Sequence, residues 1–193
     1  MSCHCCPPAS SASAPAVGGY FLLDNHHGRR VDAFSFGKRL LLLLFGFTHC
    51  AVVCPRELRK LDAALDQLGP LAARIQPLYV TVDPERDMPG TLQAYLKPYP
   101  RFIGLTGTRA EIDAAKRSFR VFAERRNDAD TPGGYIVPHT TGAYLAAPGG
   151  QVIAHFMDSI DATTLAQRLR AVLQEHSAPV PAPAQAVGDQ SSS

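Results

Sequence analysis

The feature that most constrains the fold is the apolar run LLLLLFGF, residues 40–47, in a chain of 193 residues. The run is much shorter than the roughly 20 residues that a membrane-spanning helix needs. Its length suits a strand that is buried on both faces, as at the centre of a sheet covered by helices on each side. The sequence therefore predicts a central strand at 40–47 and no membrane span.

Strand-like and helix-like segments alternate around this run. GYFLLDNHHGRRVD, residues 19–32, and AYLAAPGGQVIAHF, residues 143–156, each predict a hairpin. Further strands are predicted at 77–83 and 101–105, and apolar spacing predicts helices at 58–68, 91–96, 108–119 and 165–173. Thr108 and Glu111 match the capping-box pattern at the start of the third helix. This order predicts an α/β fold, a thioredoxin-like fold with a central mixed sheet flanked by helices.

Composition divides the chain into three parts. The first part, residues 1–17, is rich in Cys, Ser, Ala and Pro and is predicted to be a disordered leader. The folded domain is predicted to span residues 18–174, and a disordered tail is predicted at residues 175–193. The net charge of +2 gives no basic surface of the kind that nucleic-acid-binding proteins carry. The first 20 residues contain no apolar signal segment, so we expect neither an export signal nor a membrane anchor in the chain as written.

Two of the five cysteines, Cys50 and Cys54, follow the central strand and precede Pro55. Pro is favoured at the first helical position, so a helix is predicted to begin at Pro55, with Cys54 as its N-cap and Cys50 in the loop before it. Unpaired N–H groups and the helix dipole at that place favour the thiolate form of both sulfurs. Because thiolates attack disulfides and bind metals, the pair is predicted to be reactive rather than structural.

The spacing of the pair leaves two chemistries open. The thioredoxin redox motif is C-x-x-C, whereas the wider C-x-x-x-C loop of Cys50 and Cys54 suits either a disulfide or a metal. Two thiolates suit Cu(I) but leave its site incomplete, so a third ligand, a His, is expected. Among the seven His, His139 stands out because its loop, IVPHTTG, faces the Cys pair in a thioredoxin-like fold. His155 lies in an alternating strand and is predicted to be a face residue.

Four motifs, in this order, resemble the Sco/SenC family, the thioredoxin-like copper proteins of cytochrome c oxidase assembly. They are FGFTHCAVVCP at 45–55, LYVTVDPERDMP at 78–89, RFIGLTG at 101–107, and the His139 loop followed by VIAHF at 152–156. The resemblance implies that Cys50, Cys54 and His139 hold one copper ion, Cu(I) or Cu(II), and that the two Cys also cycle between dithiol and disulfide. It further implies a metallochaperone that delivers copper to a partner such as a cytochrome c oxidase subunit, in a periplasmic, inner-membrane-associated location.

The chain departs from the family's pattern beside these ligands. The family usually has a Pro and an Asp where this chain has Ala51 and Val52, and an Asp where it has Pro138. These changes remove carboxylates, so we expect a less anionic site with fewer hydrogen-bond partners for the ligands. The DPERD segment, residues 83–87, is expected to border the site rather than to ligate metal.

Other hypotheses stay open at the level of sequence. A thiol–disulfide oxidoreductase would use Cys50, the more exposed thiol, to attack a partner's Cys pair, and Cys54 as the resolving thiol. A peroxide-reducing enzyme of the same fold and a domain with a vestigial site are further alternatives. The N-terminal SCHCC segment is a candidate second site for a soft metal, with the ligands Cys3, His4, Cys5 and Cys6. We expect the protein to be a monomer.

Overall fold

The apolar run forms strand β3, Leu40–Gly46, in which every residue is buried. In the computed structural model, which describes residues 18–131 and 133–176, β3 lies in the interior of a sheet. It pairs in parallel with β4, Ile75–Thr81, on one side and antiparallel with β8, Ala143–Ala146, on the other. The prediction of a central buried strand is confirmed, and the strand ends one residue earlier than predicted.

The remaining strands extend the sheet on both sides. Beyond β4 lie β5, Ile103–Thr106, and then the antiparallel hairpin of β1, Leu22–Asn25, and β2, Arg30–Asp32. Beyond β8 lies β9, Val152–Phe156, which completes the second predicted hairpin. Within the described residues the sheet has seven strands in the order β2-β1-β5-β4-β3-β8-β9. A separate two-stranded ribbon consists of β6, Arg126–Asn127, and β7, Tyr135–Ile136.

Helices cover both faces of the sheet, because successive side chains of β3 point to opposite sides. Leu42 and Leu44 pack with the leucines of α1, Val53–Leu68, and of α4, Ala162–Glu175; the short α2, Pro89–Tyr95, joins this face through Leu92. Leu41, Leu43 and Phe45 pack on the other face with α3, Arg109–Ser118. The architecture confirms the predicted thioredoxin-like arrangement of a mixed sheet between helices.

The start of α3 confirms the predicted capping box. The Thr108 hydroxyl accepts a hydrogen bond from the backbone N–H of Glu111, and the Glu111 carboxylate accepts one from the backbone N–H of Thr108. Most other predicted bounds shift by one to three residues. For example, β4 begins at Ile75, so that Pro77 lies within the strand, opposite Leu42, and not at its start.

Three predictions concern parts of the chain outside this description. The predicted leader, residues 1–17, and residues 177–193 of the predicted tail are not among the described residues, and neither is the SCHCC segment. The described chain continues in α4 as far as Glu175, followed by His176. A search of the described ranges for a helix long and apolar enough to cross a membrane found none.

Candidate metal centre

Cys50 and Cys54 lie where β3 passes into α1. The strand ends at Gly46, residues 47–52 form the loop, and the helix begins at Val53, with Val52 at the N-cap. The predicted start at Pro55 is therefore wrong by two residues, and Cys54 lies in the first helical turn rather than at the N-cap. Pro55 does not disrupt that turn, because the first N–H groups of a helix have no partner within it. We call residues 46–54 the Cys wall.

The two sulfurs share the N-terminal end of α1. Val52 makes no capping hydrogen bond with its side chain, and the backbone N–H of Cys54 instead donates to the Sγ atom of Cys50, at 3.4 Å. Cys50 is half-buried, whereas Cys54 is 2% exposed. The prediction that Cys50 is the more exposed thiol is confirmed.

The electrostatics of the pair are asymmetric. Hydrogen bonding from the Cys54 thiol, helped by backbone N–H groups of residues 52–54, lowers the pKa of Cys50 to about 5. The same hydrogen bond, together with burial, raises the pKa of Cys54. The expectation that both sulfurs favour the thiolate is therefore wrong for Cys54, because one anion at the helix end opposes the formation of a second. In the reduced pair Cys50 is the thiolate and Cys54 the thiol.

A buried carboxylate holds the Cys wall in place. Asp87, which is fully buried, accepts hydrogen bonds from the hydroxyl of Thr48 at 2.6 Å, from the backbone N–H of Thr48 at 3.1 Å, and from the hydroxyl of Thr81 at 2.6 Å. Burial raises the pKa of Asp87, and the two Thr partners oppose that shift. The expectation that DPERD borders the site is consistent with this contact, but its role as an anchor of the loop is not visible in the sequence.

Behind Cys54 lies a pocket that the sequence analysis missed. A Cβ atom added to Gly46 would lie 2.6 Å from the hydroxyl oxygen of Tyr79 and 2.9 Å from the Sγ atom of Cys54. The ring of Tyr95 packs against that of Tyr79, with centroids 5.6 Å apart. A glycine within an otherwise bulky apolar strand is the signal that could have revealed this close approach.

His139 lies on the opposite side of the site, in the segment 135–141, which we call the His wall. The Nδ1 atom of His139 is 2.9 Å from the backbone carbonyl oxygen of Val137. Since a carbonyl oxygen only accepts, Nδ1 carries the proton, and in the neutral ring Nε2 keeps its lone pair. The ring meets Phe47 of the Cys wall edge-on, with centroids 5.9 Å apart.

An arginine joins the His wall to the end of β4. Arg86 donates to the Asp83 carboxylate at 2.5 Å and to the backbone carbonyl of Tyr135 at 3.2 Å, and its guanidinium lies 3.7 Å from the centroid of the Tyr135 ring. The Tyr135 hydroxyl donates to Asp83 at 3.0 Å, and Arg125 lies 3.6 Å from the centroid of the same ring. These contacts place the His wall beside the loop of Cys50.

The two walls enclose an open cleft of about 560 Å³. Cys50, Ala51 and Val52 line it on one side, and Pro138 and His139 on the other. Asp130 also lines the cleft, so one exposed carboxylate borders a site that was expected to be less anionic. Sequence reasoning missed Asp130 because it lies outside the four motifs, six residues before the IVPHTTG segment.

The structure brings together some of the predicted ligands but not all of them. Cys50 and Cys54 are in contact, and His139 faces Cys50 across the cleft. Among residues 18–131 and 133–176, no three Cys, His, Asp or Glu side chains are grouped closely enough to hold a metal ion. His155, predicted to be a face residue, is exposed on β9 and stacks on Tyr144.

Comparison with known proteins identifies the family. The sequence model of the SCO1/SenC family matches residues 9–174. The chain belongs to this family. The mitochondrial SCO2 homologue of Danio rerio is 40% identical over 156 residues, which is 79% of this chain and 55% of that protein. The mitochondrial SCO1 homologue of Homo sapiens is 38% identical over 148 residues, 74% of this chain and 48% of that protein. The chain therefore spans about half the length of these curated SCO1/SenC relatives.

Solved structures of the family support the same assignment. The structure of Bradyrhizobium japonicum ScoI with copper bound is 34% identical, with a TM-score of 0.73 over 81% of this chain and 99% of that one. Arabidopsis thaliana ScoI with copper bound is also 34% identical, with a TM-score of 0.76 over 84% of this chain and 99% of that one. The resemblance to the Sco/SenC family drawn from the four motifs is confirmed.

Proposed function

We propose that this chain is a copper metallochaperone that carries one copper ion, as Cu(I) or Cu(II), on Cys50, Cys54 and His139. The observation that carries the proposal is the pairing, across one cleft, of the half-buried Cys50 sulfur with an imidazole whose Nδ1 is held by a backbone carbonyl, which leaves Nε2 for a metal. The copper-bound ScoI structures support the choice of metal.

The chemistry of the donors fits this cargo. Two sulfurs and one imidazole form a soft donor set that suits Cu(I), and binding requires the thiolate and the neutral ring. Cys50 is already a thiolate at neutral pH, while Cys54 has to lose its proton to serve as the second ligand. Val137 fixes the tautomer of His139 through its carbonyl, as hydrogen-bonded partners of metal-binding His do. Ligation by all three residues requires the His wall to approach the sulfurs.

The open cleft suits transfer of the ion to a partner. A few-coordinate site at the surface leaves room for a partner's ligands to replace those of the chaperone one at a time. Only the dithiol form offers two thiolates, so oxidation of Cys50 and Cys54 to a disulfide prevents loading. We propose that the recipient is a protein with its own Cys pair, such as a cytochrome c oxidase subunit, and that the chain acts as a membrane-associated monomer on the periplasmic or intermembrane-space side.

A titration with Cu(I) against a competing chelator tests the proposal. The protein is the full chain with Cys3, Cys5 and Cys6 changed to Ser, so that the N-terminal thiols do not contribute. We expect one equivalent of Cu(I) to bind to the reduced protein, and His139→Ala to lower the affinity by about 100-fold or more, because loss of a ligand should cost at least as much as the roughly 10- to 100-fold that follows loss of a ligand's hydrogen-bond partner. His155→Ala, an exposed His outside the cleft, is the matched control and leaves the affinity unchanged. Failure of the reduced protein to take up one equivalent would overturn the proposal.

A second function is favoured by the asymmetry of the pair. A half-buried thiolate beside a buried thiol is the arrangement of a thiol–disulfide oxidoreductase. Cys50 would attack a partner's disulfide, forming a mixed disulfide and releasing one partner sulfur as a thiolate. Cys54 would then lose its proton and attack Cys50, so that the second partner thiolate leaves and Cys50–Cys54 becomes the disulfide. Two electrons pass from the chain to the partner.

His139 separates these two functions. The His139→Ala variant should lose tight copper binding and keep the rate at which the reduced pair reduces a model disulfide such as oxidised glutathione. A variant that loses both properties equally would argue against two separable roles. The measurement is the release of reduced glutathione under single-turnover conditions, beside the copper titration of the same preparation.

A further inference from the structure

The side chain of Arg86 lies between the two walls of the cleft. Its guanidinium is 5.7 Å from the centroid of the Phe47 ring in the Cys wall and 3.7 Å from that of the Tyr135 ring in the His wall. A cation attracts an aromatic ring within about 6 Å of its centroid, and the attraction is stronger where water is excluded. Only 13% of the Arg86 side chain is exposed, so one largely buried cation contacts both walls at once.

The end of β4 fixes the orientation of this guanidinium. Arg86 donates to the carboxylate of Asp83 at 2.5 Å, and Asp83 also accepts a hydrogen bond from the Tyr135 hydroxyl at 3.0 Å. Arg86 donates further to the backbone carbonyl of Tyr135 at 3.2 Å. A planar guanidinium can make these hydrogen bonds and stack on rings at the same time, whereas the ammonium of Lys has no planar face. Both the ring and the backbone of Tyr135 are therefore held, four residues before His139.

The other contacts of the His wall leave its distance from the sulfurs to this arginine. Ala123 forms an isolated antiparallel bridge with His139, which attaches the backbone of the His wall to the segment after α3. Contact with the Cys wall comes from the edge of the His139 ring on Phe47 and from Arg86. Since ring contacts alone allow sliding, loss of the guanidinium should let the His wall move while the main sheet stays folded.

We propose that Arg86 is a positioning residue for copper binding: it connects the His wall to the Cys wall and so sets how closely the imidazole of His139 approaches the two sulfurs. The inference rests on the proposed function in that copper is the ion and His139 is one of its ligands. The connection between the walls belongs to the metal-free protein, so it is tested there as well.

A double-mutant cycle with Cu(I) and a competing chelator tests the effect on binding. The protein is the reduced full chain with its three N-terminal Cys changed to Ser. We expect Arg86→Gln to lower the affinity about 10-fold, the lower end of the range for residues that orient a metal ligand. In a protein that already carries His139→Ala, the same change should cost less than about twofold, because the two residues act through one ligand.

Two further variants separate position from charge. Arg109→Gln is the matched control, since it removes an exposed guanidinium that pairs with Glu85 beside the same loop, and it should change the affinity less than about twofold. Arg86→Lys keeps the charge and loses the planar fork, so it should bind copper as weakly as Arg86→Gln. Full affinity in Arg86→Lys would show that charge and not position is responsible, and would overturn the proposal.

Amide hydrogen exchange of the metal-free reduced protein, followed by mass spectrometry, gives the second measurement. Arg86→Gln should speed exchange about 10-fold in the peptide that covers residues 135–141 and leave the peptides of β3 and α1 unchanged. Because loss of Arg86 leaves the buried Asp83 carboxylate without its cation, the double variant Asp83→Asn, Arg86→Gln is measured beside it. The double variant buries no charge and should show the same local effect.

The outcomes of the two measurements are independent. Unchanged exchange at residues 135–141, faster exchange throughout the chain in both variants, or a loss of affinity that persists in His139→Ala would each overturn the role of Arg86. If the unsubstituted protein took up no copper, the proposed function would fail, while the exchange measurement would still decide whether Arg86 holds the walls together.

Discussion

The two walls of the cleft are built in different ways. The Cys wall is continuous with β3, a fully buried strand, and with α1, the longest helix of the described chain, and Asp87 fixes its loop through hydrogen bonds to Thr48. The His wall contains no strand of the main sheet, and its only regular element is β7 of the separate ribbon β6–β7. It is held by an isolated bridge between Ala123 and His139 and by contacts of Arg86 with Tyr135.

This difference assigns different tasks to the walls. The Cys wall holds the reactive sulfurs at a fixed helix end, where their charge and hydrogen bonds are determined by the fold. The His wall is docked against it, so that its distance from the sulfurs is set by a few contacts rather than by the core. An arrangement of this kind suits a site that has to close on an ion and open again for a partner. The predictions below test how far the difference extends.

The largest expected effect is on the pH dependence of thiol reactivity in the Cys wall. Because the pKa of Cys50 is about 5, its alkylation by iodoacetamide should have a midpoint near that pH. At pH 6 Cys50 keeps about nine-tenths of its plateau rate, whereas a thiol with the ordinary pKa of 9.0 keeps about a thousandth. Peptide mass mapping of the reduced protein, with Cys3, Cys5 and Cys6 changed to Ser, follows each site separately.

Cys54 supplies the internal contrast in that experiment. Its raised pKa and burial should leave it unmodified over the range in which Cys50 reacts. A midpoint for Cys50 above pH 8, or alkylation of Cys54 first, would contradict the asymmetry described for the Cys wall.

The next prediction compares how much a hydrogen bond that anchors each wall contributes to the free energy of unfolding. Asp87→Asn replaces one acceptor oxygen by an NH₂ group that faces the donors of Thr48 or Thr81, and we expect a loss of about 2–3 kcal/mol in the free energy of unfolding, measured in urea. On the His wall, Thr140→Val removes one acceptor of the Phe122 backbone N–H, which water can replace, and should cost about 0.5–1 kcal/mol. Equal losses for the two variants would contradict the difference between the walls.

The pH dependence of the Asp87→Asn effect follows from the sign of the shift. Burial raises the pKa of Asp87 in the folded state, so the folded state binds the proton more tightly than the unfolded state does. The contribution of Asp87 to the free energy of unfolding is greatest at pH values below its ordinary pKa of 3.8. This contribution falls as the pH rises through the raised pKa of the folded state. The advantage of the wild type over Asp87→Asn should therefore shrink as the pH rises through that range, and a growing advantage would contradict the assignment.

A smaller effect is expected at Gly46, where the Cys wall meets the buried pocket. The Cβ atom of Gly46→Ala would lie 2.6 Å from the Tyr79 hydroxyl and 2.9 Å from the Cys54 sulfur, so that both must shift. We expect a loss of about 2 kcal/mol in unfolding free energy, typical of overpacking. Gly90→Ala in α2, with no heavy atom within 4 Å of the new Cβ, is the matched control and should be neutral or slightly stabilising. Tolerance of Gly46→Ala without loss would show that the pocket is looser than described.

The contrast between the walls also explains what the sequence could predict. The Cys wall follows from local signals: an apolar run, two Cys and a Pro place a thiol pair at the start of a helix. The position of His139 depends on pairing between distant segments, and it was selected from the seven His by its place in the predicted fold and by the family resemblance, not by local spacing. Its tautomer, fixed by Val137, could not be derived from spacing.

The electrostatics were the least predictable part of the site. A helix N-terminus favours a thiolate at both Cys positions, but two thiols in contact share one charge, so that the second pKa moves the other way. The burial of Asp87 could not be predicted either. The mixed charges of DPERD are typical of an exposed loop, whereas the fold buries Asp87 completely. The local sequence pattern therefore predicts the helices and strands of this fold, whereas the pKa values and hydrogen bonds of the site depend on contacts between those elements.

The smallest effect concerns the missing cap of α1. Val52 occupies the N-cap without a side-chain hydrogen bond, and the Cys50 sulfur takes the N–H of Cys54 in its place. Val52→Asp offers a carboxylate for that N–H, so we expect about 0.5–1 kcal/mol of added stability, seen as a higher thermal midpoint. The same carboxylate removes the hydrogen bond from the Cys54 N–H to the Cys50 sulfur and adds a negative charge beside that sulfur. Both changes raise the pKa of Cys50, so the midpoint of its alkylation profile should move above pH 5.

Val52→Asn separates the two parts of that effect. The amide caps the helix about as well as the carboxylate but brings no charge, so it should give the same thermal midpoint with a smaller change in the alkylation profile. If Val52→Asp stabilises the helix and leaves the profile of Cys50 unchanged, the N–H of Cys54 does not contribute to the low pKa, which then comes from the Cys54 thiol and from the N–H groups of residues 52 and 53. If both quantities move together, Val52 leaves the helix end free for sulfur, and stability at this position is exchanged for a reactive thiolate.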